Sequence, residues 1–103
     1  MKFNYSKALR DAQKLEDIAD RYEKIANSEI ENAITEMMSN WSGDSANSMA
    51  AKVNSMAEEI REKARNIRTI AHELRETAKR LKEADEQAEK QVEANSHGNS
   101  GGR

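Results

Sequence analysis

An all-α fold, an antiparallel hairpin of two long amphipathic helices, is predicted by three features of this 103-residue sequence. The body contains no proline and a single glycine, Gly43, because the other three glycines fall within the last six residues. Nothing there removes a backbone donor or loosens the chain. Apolar residues recur in steps of three and four on both sides of Gly43, without strict alternation. The aliphatic residues are mostly Ala, Ile, Met and Leu, good helix formers, with only Val53 and Val92 as valines.

Helix one is expected over about residues 6–39. Its stripe runs Leu9, Ala12, Leu15, Ile18/Ala19, Tyr22, Ile25/Ala26, Ile30, Ala33/Ile34 and Met37. Asn4 or Ser6 is placed to cap its first turn, satisfying otherwise orphaned amides. Residues 40–44 then form a turn, where Gly43 can take a positive φ and Asp44 or Ser45 can cap the next helix. So short a connection makes the helices antiparallel neighbours.

Helix two is expected over about residues 45–94, on the stripe Met49, Val53, Met56, Ile60, Ala64, Ile67, Ile70/Ala71, Leu74, Ala78, Leu81, Ala84 and Ala88. It exceeds helix one by roughly ten to fifteen residues, an overhang of about 15–20 Å at 1.5 Å per residue. Residues 95–103, rich in Asn, Ser and Gly, read as a disordered tail, leaving 1–94 as the hairpin. No internal repeat is evident, and the stripe reads as a hairpin's seam rather than a long coiled coil.

Charge supports the pairing. Residues 11–36 carry eight acids and three bases, whereas residues 61–82 carry eight bases and three acids. Folding back at Gly43 sets residue 61 opposite about residue 25, and residue 75 opposite about residue 11, so an acidic helix lies along a basic one. Each surface pair is weak, but opposite fields favour that register. Residues 83–93 return to a net charge of −4 on the overhang.

The same features narrow the function. A formal net charge of −2 argues against general nucleic-acid binding, and no stretch is apolar enough for stable membrane insertion. The residues after Met1 lack the apolar run of a secretory leader, so any export is expected to proceed without a cleaved signal peptide. The absence of cysteine excludes disulfides and thiolate metal sites. His72-Glu73-Leu74-Arg75-Glu76 begins like a zinc-protease helix, but Glu76 stands where the second histidine is needed. A narrow hairpin also offers no deep pocket in which carboxylates or a nucleophile would be tuned for catalysis. No enzyme activity, metal or cofactor is expected.

A hairpin buries one stripe per helix, so part of its apolar surface should remain for a partner. Met37, Met38, Met49 and Met56 flank the turn as gap-fillers or as an adaptable contact surface. Trp41 either caps the end of the seam or stands out as an anchor in a cleft shared with a partner. Asn40-Trp41-Ser42 matches a glycosylation sequon, which in this turn reads as coincidence.

Asn40-Trp41-Ser42-Gly43-Asp44-Ser45-Ala46, at mid-chain between two amphipathic helices, resembles the turn of the small WXG-motif (Esx-like) proteins of type VII secretion systems. The similarity extends over residues 3–94. It implies homodimers or heterodimers packed as a four-helix bundle, recognition by a membrane-bound secretion ATPase, and in some members escort of a larger toxin through its helical domain. It also implies a cytoplasmic protein that is then secreted. The export signal of such proteins, Y-x-x-x-D/E near the end of helix two, has its best match at Leu81-Lys82-Glu83-Ala84-Asp85, with leucine in place of tyrosine.

The resulting expectation is a secreted hairpin acting by helix–helix binding, with self or a related hairpin as partner. Its turn cleft is formed by Trp41, Ser42 and Gly43, and its candidate signal by Leu81 and Asp85. The expected dimer interface is Leu15, Ile18, Tyr22, Ile25, Val53, Met56, Ile60 and Ile67. A cytoplasmic targeting chaperone or co-secreted partner of a larger toxin, and an unrelated helical adaptor, are the alternatives.

Overall fold

The computed structural model of the chain describes residues 4–101, with side chains through Asn95. Residues 1–3 of the expected hairpin and 102–103 of the expected tail lie outside the described residues. The first arm comprises α1, Tyr5–Lys24, a π-helical turn, Ile25–Glu29, and α2, Ile30–Asn40. The second arm is a single helix, α3, Asp44–Gly101. The all-helical hairpin read from the sequence is the fold of the chain.

Asn4 caps α1: its backbone is extended and its side-chain Oδ1 accepts the Lys7 amide at 2.9 Å. At the far end Trp41 leaves α2 in an extended conformation, and Gly43 adopts φ +97°, which reverses the chain. The Gly43 carbonyl then accepts the Asn47 amide at 3.1 Å, opening α3. The helix thus starts at Asp44. That residue lies inside the first turn, where its carboxylate meets the positive end of the helix dipole.

The π-helical turn has a cause in the sequence. Tyr22, Ala26, Ile30 and Ile34 follow one another in steps of four. On a 3.6-residue helix that run would carry the stripe away from the second arm. The Ile30 N–H bonds to the Ile25 carbonyl, a wider turn that absorbs the slip, and Ile30 and Ile34 remain half-buried.

Every buried core residue described is alanine: Ala8, Ala12, Ala19 and Ala26 on the first arm, and Ala46, Ala57, Ala64, Ala71 and Ala78 on the second. Ala12, Ala19 and Ala26 are spaced by seven, as are Ala57, Ala64, Ala71 and Ala78. The seam is thus a heptad-spaced alanine track, a coiled-coil-like regularity that the apolar stripe by itself did not separate out. Methyl side chains let two helices approach toward the near end of the ~8–10 Å range of axial separations. The molecule is accordingly a rod of 91 × 17 × 16 Å.

The helical assignment of α3 continues to Gly101, beyond residue 94 where the sequence places its end and the start of a structureless tail. Asn, Ser and Gly are poor helix formers, but without proline each amide can still reach its carbonyl one turn back. All residues from Leu81 to Asn95 are exposed.

Candidate functional site

The alanine track divides the hairpin into two long faces of opposite chemistry. On one, Arg61, Arg68 and Arg75 repeat every seven residues along α3 and reach across to the first arm. Arg75 grips Glu16 with Nη2 at 2.6 Å and Nε at 3.1 Å. Arg68 donates through Nε to Glu23 at 2.8 Å and through Nη2 to Asp20. Arg61 donates to Asn27 at 2.6 Å and to the Ala26 carbonyl at 3.3 Å, with Glu31 at 3.4 Å and Glu58 also in contact. The antiparallel charge match is therefore real, set a few residues further along the first arm than simple folding at Gly43 suggests.

These bonds tune the carboxylates. The Arg75 and Arg68 guanidinium groups hold Glu16 and Glu23, respectively, below their ordinary range, chiefly by hydrogen bonding and against the opposing effect of lost solvent. The same bonds raise both arginines. The three arginines of this face are thus paired across the seam.

The opposite face is apolar. In helical phase Leu15, Ile18, Tyr22 and Ile25 lie to one side of the first-arm alanines, and Val53, Met56, Ile60 and Ile67 to the matching side of the second. Across the seam Tyr22, Ile25, Ile60 and Lys63 line a shallow groove of about 260 Å3. Six of the eight expected interface residues are half-buried, while Ile25 and Met56 are exposed, Met56 at 55%. Among the described residues no large side chain is fully buried. The accessible surface is 7920 Å2, against about 5,800 Å2 for a compact monomer of this mass. The excess reflects the elongated outline and the overhanging end of α3, where every residue from 79 to 95 is exposed.

At the turn end Trp41 is 48% exposed, beside exposed Met38 and Met49. Ser42 and Gly43 are also exposed, and a Cβ at Gly43 would meet no atom within 4 Å. The glycine is required there for its backbone conformation and not for space.

At the open end the structure brings together residues that the sequence reading kept apart. The Tyr5 hydroxyl lies 3.1 Å from the Leu81 carbonyl oxygen and hydrogen-bonds to Asp85 Oδ2. That bond is the main cause that pushes the Tyr5 phenol up to about 12, followed by lost solvent and the charges of Asp85, Glu86 and Glu89. A groove of about 330 Å3 adjoins it, lined by Tyr5, Leu9, Arg75, Glu76, Ala78, Lys79 and Lys82. Leu81 and Asp85 themselves are exposed, one turn apart on one face of α3. A contact spanning the whole hairpin, as between Tyr5 and Asp85, leaves no local spacing signal in the sequence. His72 is exposed, and among the described residues no group of three His, Cys, Asp or Glu side chains is arranged to hold a metal ion.

The structure defines a class of small proteins: all-helical hairpins reversed at a tryptophan-glycine turn, with one charged and one apolar face. A family model described as proteins of 100 residues with WXG matches residues 1–86, and the chain belongs to that family. Its members are small helical proteins of type VII secretion that pair with related hairpins. They leave the cell without a cleaved signal peptide, and no described helix here is long and apolar enough to cross a membrane. No curated protein and no solved structure matches the chain significantly.

Proposed function

We propose that this protein is a type VII secretion substrate that acts by pairing its apolar face with a second hairpin, completing a four-helix bundle before export from the cytoplasm. The observation that carries the reading is the segregation of the two faces. Arginine–carboxylate pairs occupy one, while the large aliphatic side chains on the other lack full cover. Covering them removes apolar area from water at roughly 25 cal/mol per Å2, a driving force that a lone hairpin cannot realise. Leu15, Ile18, Tyr22, Ile25, Val53, Met56, Ile60 and Ile67 form the contact. Trp41, Ser42 and Gly43 border a cleft at its end, and Leu81 with Asp85 is the signal read by the secretion ATPase.

The test is secretion by the native host with and without that ATPase, together with light scattering of the purified protein. Export that stops with the ATPase, and a mass of two chains, fit the proposal. Export that continues without the ATPase argues for an unrelated helical adaptor. A monomer that pairs only with a larger co-purified polypeptide, and stays behind in the cytoplasm, assigns the role of targeting chaperone.

A further inference from the structure

The last buried position of the alanine track on α3 is Ala78, and beyond it every residue through Asn95 is exposed. Past that point the first arm still reaches α3: Tyr5, half-buried at the start of α1, sets its hydroxyl against the Leu81 carbonyl and the Asp85 carboxylate. A hydroxyl carries one proton, and the charged carboxylate is the stronger acceptor. The bond lies in solvent, where such contacts add little to stability. Its clear geometric effect is to hold an aromatic ring of the first arm beside an exposed leucine and an exposed aspartate of the second.

We propose that Tyr5, Leu81 and Asp85 form one composite recognition surface, to which the first arm supplies the aromatic ring that position 81 lacks. The proposal rests on the reading of Leu81 and Asp85 as the export signal. The surface presents a ring, a branched aliphatic side chain and a carboxylate. On the Asp85 side residues 83–93 carry five acids and one base, while Arg75, Lys79 and Lys82 line the groove on the other side of the ring. Its chemistry fits a partner with an apolar pocket flanked by basic side chains, here the secretion ATPase. Folding then gates recognition, because the ring and the carboxylate meet only when the hairpin has closed.

The experiment moves the ring. In the full-length protein in its native host, Tyr5→Ala should cut export by about tenfold, as truncation of an aromatic anchor does at a recognition surface. Tyr5→Ala combined with Leu81→Tyr should restore it. Circular dichroism and melting of each purified variant establish that the hairpin still forms. Restoration would separate recognition from tethering, since a tyrosine at position 81 brings no group from the first arm back to Asp85. If Tyr5→Ala exports normally while Leu81→Ala/Asp85→Ala does not, the composite surface is wrong and the signal reading stands. If Tyr5→Ala fails and Leu81→Tyr does not rescue it, Tyr5 is a tether and the proposal falls. Normal export of Leu81→Ala/Asp85→Ala overturns the signal reading and the composite surface with it.

Discussion

Arg68 donates through Nε to Glu23 at 2.8 Å across the hairpin seam, one heptad from the matching grip of Arg75 on Glu16. The repeat turns a diffuse charge difference between the arms into a fixed register. Because both carboxylates are held below their ordinary value of 4.5, the sign of their pH dependence follows. Their contribution is complete above the unfolded value and is lost as pH falls through the lower folded one. The melting temperature should hold steady from neutrality to near 4.5 and fall below it. Glu16→Gln/Glu23→Gln should start lower and fall less steeply, as read by circular dichroism across a pH series.

The alanine track should tolerate little growth. Ala19 and Ala71 are fully buried, so Ala19→Leu or Ala71→Leu must push the arms apart or leave a low-energy rotamer. Overpacking of this kind costs about 1–3 kcal/mol, measurable as a lower urea midpoint. Leucine at exposed Ala33 should cost much less.

On the apolar face, Ile18→Asp and Ile60→Asp should leave the hairpin helical but weaken pairing by about tenfold or more each, since the carboxylate must be desolvated in the bundle. Light scattering over a concentration series provides the measurement. Glu→Gln changes on the opposite face, at Glu16 or Glu23, should leave the association constant nearly unchanged.

Gly43 turns the chain at φ +97° with open space where a Cβ would lie. Gly43→Ala therefore meets backbone strain and no clash, and should lower stability by about 1–2 kcal/mol. Equilibrium denaturation gives the value. A loss far above that range would mean that the turn moves and carries Trp41 with it.

Much of this architecture was legible in the residues, and the reasons differ by element. The helices follow from the three-and-four spacing and the absence of proline, and the reversal from the body's only glycine. The opposed charges of residues 11–36 and 61–82 announced the polar ladder, though not its partners, because long arginine side chains choose among several carboxylates within reach. The identity of the seam was harder. Ala19 and Ile18 are adjacent in sequence and both sit on the apolar stripe, and periodicity alone cannot tell which of the two columns meets the other arm. The seven-residue spacing of the alanines was the available signal. The step-of-four run from Tyr22 to Ile34 likewise encoded the π-helical turn. Nothing local encoded the meeting of Tyr5 with Asp85, which depends on the length of both arms and the register between them.

The slender outline set by those alanines also governs how the molecule travels through solvent. A radius of gyration of 24.9 Å is nearly twice the ~13 Å of a globule with this many residues. Frictional drag on such a particle is that of a much heavier sphere, so a single chain will elute early from a sizing column. Sedimentation equilibrium or static light scattering, which report mass without assuming a shape, will distinguish one hairpin from two.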